Sequence, residues 1–160
     1  MTLAELNALS REQAAAEFRR CCGSARWAER MARARPFRDV GSLAVTADVI
    51  WDALDPDDWR EAFAAHPRIG QAPVQKWELQ EQAGAAHVDA SVRQRLAERN
   101  RDYEARFGYI FIVCATGRSG PEMLALLESR LSNDSARELP IAAEQQRQIT
   151  HVRLAKLLDG

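Results

Sequence analysis

Along most of the chain apolar residues recur every three to four positions, and Ser, Asp, Pro and Gly interrupt them at short intervals. That period belongs to amphipathic helices set end to end, each burying one stripe. Ser10 followed by Gln13 has the spacing of a capping box, in which each side chain bonds the other residue's backbone N–H, and Ala14, Phe18 and Cys21 share a face before Gly23 stops the run. Ser24 opens a second helix on Trp27, Met31 and Ala34, closed by Pro36 because proline cannot continue the hydrogen-bond ladder. Ser42 opens a third, with Leu43, Ala47, Ile50, Trp51 and Leu54 as its stripe. Asp55 before Pro56 caps a fourth, on which Trp59 and Phe63 lie one turn apart. This helix delivers His66 at its end, where Pro67 pushes the preceding residue out of helical angles.

Farther along, the pattern predicts a short helix over 74–83, ended by Gly84, and a long one over 90–107, begun by Asp89 and ended by Gly108. One stretch breaks the helical period. Tyr109 to Ala115 is continuously apolar, aromatic and β-branched, so by propensity it reads as a buried strand. No second strand exists to pair with it, and it is expected as an extended buried segment or an apolar helix start. Ser119 with Glu122 forms a second capping box for a helix through Met123, Leu124, Leu127 and Leu131, which Asn133 closes. The last helix runs from about Ser135 to Leu158 on Leu139, Ala142, Ile149, Val152 and Leu157, with Pro140 tolerable only near its first turn. The expected fold is all-α: a single compact bundle of about eight helices with one extended buried segment near 109–115.

Composition narrows the function classes. A chain of 160 residues matches one domain with one sizeable core, so 1–160 is read as a single domain. Its 22 basic and 23 acidic residues are interspersed and sum to a net charge of -1, which leaves no electrostatic footprint for nucleic acid or an anionic membrane. No apolar run is long enough to span a bilayer, and the first residues lack the basic and apolar regions of a signal peptide, so a soluble cytoplasmic protein is expected. Three cysteines, two of them the adjacent Cys21 and Cys22, make neither a disulfide framework nor a C-x-x-C zinc pair.

Candidate chemistry concentrates between His66 and Gly84, written H-P-R-I-G at 66–70 and W-E-L-Q-E-Q-A-G at 77–84. An imidazole at one helix end and the carboxylate of Glu81 on the next segment make a plausible acid/base pair, since histidine can hold or release a proton near neutral pH. Each residue also has a plainer role. A histidine before proline commonly bonds a helix-end carbonyl, Glu81 can belong to a solvated face, and Arg153 can pair with Glu144 or Asp159. Cys114 sits in an apolar run with no local base, where a thiol is usually inert. His87 and His151 read as surface or helix-face residues, and a zinc site from His66, Glu81 and His87 fits no familiar ligand spacing.

Several motifs, in this order along the chain, resemble one family: A-H-P-R-I-G at 65–70, E-Q-A-G at 81–84, R-F-G-Y-I-F-I-V-C-A-T-G-R-S at 106–119, E-M-L at 122–124, R-L-S-N-D at 130–134 and Q-I-T-H-V-R-L at 148–154. The chain resembles OHCU decarboxylases, which act on 2-oxo-4-hydroxy-4-carboxy-5-ureidoimidazoline. The resemblance implies an all-helical homodimer without metal or organic cofactor that carries out the last step of urate breakdown in purine metabolism, losing CO2 to give (S)-allantoin. By position it implies His66 as the catalytic histidine and Glu81 as its partner, with Pro67 and Gln82 as substrate contacts. It further implies that the backbone of Phe111, Ile112, Val113, Cys114 and Ala115 hydrogen-bonds the heterocycle, and that Arg153 meets an anionic group. One position departs: Glu78 stands where the family usually has a serine that touches substrate. That second carboxylate motivates the alternative of a non-catalytic helical module that binds a related ureide or a partner protein.

Overall fold

In the computed structural model, residues 1–67 and 90–159 are described, and among them the regular structure is helical throughout. The helices are α1 (Leu3–Ala8), α2 (Arg11–Cys21), α3 (Ala25–Ala34), α4 (Val40–Asp52), α5 (Pro56–Ala64), α6 (Ala90–Phe107), α7 (Gly120–Arg130) and α8 (Ser135–Asp159). The all-α expectation holds among the described residues, as does an irregular buried segment from Tyr109. None of these helices is long and apolar enough to cross a membrane. The helix expected over 74–83 lies outside the described residues.

The predicted caps explain most boundaries. The capping box of Ser10 and Gln13 forms in both directions, at 3.1 Å each way. Ser24 Oγ accepts from the N–H of Trp27, and the Asp55 carboxylate accepts from Asp57 and Asp58 at the start of α5. Ser119 Oγ accepts from the N–H of Glu122, but the return bond from Glu122 that would complete a box is not made. The third predicted helix starts earlier than Ser42, because Asp39 is the better cap: its carboxylate accepts from the N–H of Ser42 at 2.7 Å. Helix α1, not anticipated, is a single short run with its own capping box between Thr2 and Glu5. Trp59 and Ala34 are less buried than expected, Ala34 being exposed.

The described residues fall into two compact units, Met1–Ala62 with Gln146–Gly160 and Phe63–Gln145. In the first, α2 packs on α3 and α3 on α4. Its core is aromatic, with Phe18 meeting Trp27 edge to face at 6.0 Å and Phe37 at 6.3 Å. The indole N–H groups do not go unsatisfied: Trp27 donates to the carbonyl of Ala47 and Trp59 to that of Trp51, both at 3.1 Å. Arg35 closes the end of α1, donating to the carbonyl of Leu9 and to that of Leu6, which also accepts the Leu9 N–H. In the second unit α6 packs on α7 around Leu96, Met123, Leu124 and Leu127. Helix α6 ends at Gly108, whose φ of 84° is the left-handed cap expected of a glycine there, with its N–H bonded to Glu104.

Candidate functional site

Two of the sequence-derived site features belong to the second unit and can be built up together. Helix α5 ends at Ala64, and the N–H of His66 donates to the carbonyl of Phe63 in a tight turn that leaves the imidazole-bearing residue half-buried just past the helix. Phe63 itself is fully buried and packs on Tyr109 at 5.1 Å. The residue three before the histidine therefore rests on the first residue of the irregular segment. Tyr109 continues into a cluster with Tyr103 and Phe107, and Tyr103 meets Phe111 edge to face at 5.4 Å. Pro67 follows His66 and is half-buried.

From Ile110 to Ala115 the chain forms no helix, strand or turn, yet Phe111, Ile112 and Val113 are buried. Such a segment must satisfy its peptide groups by other means. The Ile112 carbonyl accepts from Arg130 at 2.7 Å, the Cys114 N–H donates to Gln145 at 2.9 Å, and the Cys114 carbonyl accepts from Arg118 at 3.1 Å. A turn ends the segment: Arg118 N–H donates to the Ala115 carbonyl, and Gly117, at φ 77°, occupies the position of that turn that disfavours any residue with a Cβ.

Behind this segment lies a buried polar cluster that sequence reasoning missed. Glu138, in the first turn of α8, is wholly buried. One of its oxygens accepts from Arg130 Nε at 2.8 Å and Nη2 at 2.5 Å and from the Tyr103 hydroxyl, while the other accepts from Asn133 at 3.1 Å. Burial, with the Glu138 hydrogen bond next, pushes the Tyr103 hydroxyl pKa well upward, so the phenol stays protonated and donates. The Arg130 guanidinium also lies 4.5 Å from the Phe111 ring centroid. Arg130 and Asn133 stand in the R-L-S-N-D motif, which was the available signal, but as a helix-end cation and a closing asparagine they carried no sign of a shared buried carboxylate.

Arg153 belongs to the first unit, where it is 7% exposed on α8. Its charge acts on the thiols of Cys21 and Cys22. Burial nonetheless dominates both, raising Cys21 to about 12 and Cys22 to about 11, so neither is a nucleophile at neutral pH. His151 is a helix-face residue as expected, paired with Asp48 at 2.6 Å. Glu81, Gln82, Glu78 and His87 lie outside the described residues. Among the described ones, no group of three His, Cys, Asp or Glu side chains is arranged to hold a metal ion.

Comparison with known proteins assigns residues 7–155 to the model of the family described as OHCU decarboxylase. The "Uric acid degradation bifunctional protein TTL" of Arabidopsis thaliana is 39% identical over 89% of this chain, which spans 47% of that relative's length. The 2-oxo-4-hydroxy-4-carboxy-5-ureidoimidazoline decarboxylase of Amia calva is 28% identical, with 99% of this chain and 95% of the relative covered. Among solved structures, a crystal structure of OHCU decarboxylase in the presence of (S)-allantoin superposes with a TM-score of 0.82 at 41% identity, covering 90% of this chain and 98% of that one. An (S)-allantoin synthase structure shares the fold, with a TM-score of 0.74 at 20% identity over 98% of this chain and 54% of that one.

Proposed function

Because this chain belongs to the OHCU decarboxylase family, we propose that it decarboxylates 2-oxo-4-hydroxy-4-carboxy-5-ureidoimidazoline to (S)-allantoin in urate degradation. The observation that carries the reading is the family match over residues 7–155, supported by the relative solved in the presence of (S)-allantoin, of which this chain covers 98%. The buried non-helical run at 110–115, whose preceding residue Tyr109 packs on Phe63 three positions before His66, supports that reading.

The reaction sets the demands on the site. When the carbon–carbon bond to the carboxylate breaks and CO2 leaves, the electron pair flows into the adjacent C=N of the ring, and a proton must then reach one face of a ring carbon to give one enantiomer. His66 carries that proton, because its ordinary pKa of roughly 6.5 lets it act as donor or acceptor near neutrality. Glu81 fixes the imidazole or accepts from the two parallel N–H groups of the ureido arm. Pro67 and Gln82 shape the substrate contact, and peptide groups of 111–115 meet the amide-like edge of the ring. Arg153 takes the anionic carboxylate, held loosely enough that departure is not opposed. The active form in this proposal is a homodimer, and neither a metal nor an organic cofactor takes part.

The test is turnover of freshly generated substrate by the purified protein, followed by chiral analysis of the product. His66→Ala is expected to lower the rate roughly 100- to 10,000-fold while the circular-dichroism spectrum stays helical. Undiminished turnover by that variant removes His66 from the mechanism.

A further inference from the structure

From 111 to 114 the side-chain hydrogen bonds to the backbone fall on alternate residues, and the turn at Ala115–Arg118 ends the pattern. Ile112 and Cys114 are held by side chains: Arg130 donates to the Ile112 carbonyl at 2.7 Å, Cys114 donates its N–H to Gln145 at 2.9 Å, and Arg118 donates to the Cys114 carbonyl at 3.1 Å. The N–H and C=O groups of Phe111 and Val113 have no hydrogen-bond partner among the described residues, although these residues are only 3% and 8% exposed. In an extended chain successive residues turn their peptide groups to opposite sides, so the bonds to the Ile112 carbonyl and to Cys114 mark a protein-facing edge on which the Ile112 N–H alone is not bonded among the described residues, and Phe111 and Val113 lie on the other edge. Buried peptide groups are almost always paired, and a run of unpaired ones on one edge calls for a ligand with its own amide-like donors and acceptors.

We infer that Arg130 and Gln145 are positioning residues for the proposed reaction: by gripping Ile112 and Cys114 from behind, they aim the peptide groups of Phe111 and Val113 at the ureide ring. The inference rests on the functional reading above. Arg130 suits the task because it cannot drift. Its other nitrogens are tied to wholly buried Glu138, which Tyr103 and Asn133 also hold, and its flat face lies over Phe111, so one guanidinium fixes that ring and the next residue's carbonyl together. Gln145 supplies a second grip two residues on, and without it only Arg118 restrains Cys114.

Two measurements on the full chain test this. In wild-type protein, adding (S)-allantoin slows amide hydrogen exchange at Phe111 and Val113 by about tenfold or more, while the Cys114 amide, already bonded to Gln145, changes by less than about twofold. In Gln145→Met, which keeps the bulk and loses the acceptor, the thermal midpoint stays near wild type while KM rises about tenfold and kcat falls much less, the signature of lost uniform binding. Arg130→Lys has the same KM signature and a larger effect, with Gln145→Met deciding the matter if the lysine variant does not fold. The inference is overturned if Cys114 is the amide that slows on adding (S)-allantoin, or if Gln145→Met has wild-type KM. If wild-type protein neither turns over the ureidoimidazoline nor binds (S)-allantoin, the functional reading falls and takes this inference with it.

Discussion

Two clusters in this molecule are built on the same plan, a carboxylate held by partners from other turns of the chain, three around Glu138 and two around Asp48, and they differ in how much water they keep. In the second unit Glu138 takes Arg130, Tyr103 and Asn133 in a site where the side chains of the carboxylate and the arginine are 0% and 8% exposed. In the first unit Asp48 takes Arg147 at 3.2 Å and His151 at 2.6 Å with all three side chains about one-third exposed, 28%, 36% and 35%. Removing two charges from water costs several kcal/mol for each ion, so the buried cluster persists only because nearly every oxygen and nitrogen in it is occupied. Around Asp48 water remains a substitute for either partner, and the attraction is correspondingly diluted. The first arrangement specifies where a piece of backbone must lie, since the same arginine reaches the Ile112 carbonyl. The second links α4 to α8 through side chains that stay partly in water.

The largest effect that would break this contrast is removal of the buried carboxylate. Glu138→Ala leaves Arg130 charged, desolvated and without a counter-ion, and is expected to cost about 3–5 kcal/mol in urea denaturation, the range found when one member of a buried pair is deleted. A loss near 1 kcal/mol would mean that water reaches the guanidinium and that the cluster is not sealed. Tyr103→Phe is milder, because Glu138 keeps Arg130 and Asn133 after losing the phenol. A cost of about 2 kcal/mol is expected for one hydrogen bond to a charged group.

Buried groups that stay neutral sharpen the comparison from the first unit. Burial raises the Cys22 thiol from 9.0 to about 11 and Cys21 from 9.0 to about 12. Below pH 9 both folded and unfolded chains keep the proton and the folded state holds its full advantage. As pH rises from 9 toward 11 the unfolded chain releases the proton and the folded one does not, so stability falls across that window. The raised phenol of Tyr103 adds to the loss in the same direction. Equilibrium unfolding of wild type between pH 9 and 11 should lose on the order of 2 kcal/mol through Cys22, and Cys22→Ala should flatten that slope. Parallel slopes in the two proteins would mean that this thiol is in contact with solvent.

Much of the helical frame was legible because caps act within three or four residues. Ser10, Ser24, Asp55 and Ser119 each sit where their hydrogen bonds form, and α6 runs over the predicted 90–107. Asp39 was passed over for Ser42 because either can cap, and only the fold shows which backbone N–H groups stand above a side chain. Helix α1 buries Leu6 alone, too little for a periodic stripe, although Thr2 and Glu5 have the capping-box spacing. The irregular run at 109–115 was visible as an apolar, β-branched break in the helical period. Its holders were not. A glutamate in a first turn and an arginine in a last turn are what helix dipoles ordinarily favour at exposed ends, so nothing local in the sequence marks Glu138 and Arg130 as a buried pair. Their meeting depends on α7 and α8 folding back across the turn at 131–134, which no local pattern encodes.

The smallest effect tests the comparison from its weak side. Asp48→Asn removes the charge that Arg147 and His151 share but keeps a side chain able to accept a hydrogen bond from either. With the side chains partly in water, the lost attraction is replaced by hydration of the Arg147 guanidinium and the His151 ring, and the expected cost is below about 1 kcal/mol. The distinguishing sign is salt: a solvated cluster loses part of its contribution between low and molar ionic strength, so the gap between wild type and Asp48→Asn should narrow as salt is added. For Arg130 and Glu138, shut away from mobile ions, the gap between wild type and Glu138→Ala should hold nearly constant over the same range. A salt-insensitive Asp48 gap of several kcal/mol would place both clusters in one class and make burial alone a poor guide to which ion pairs organise this chain.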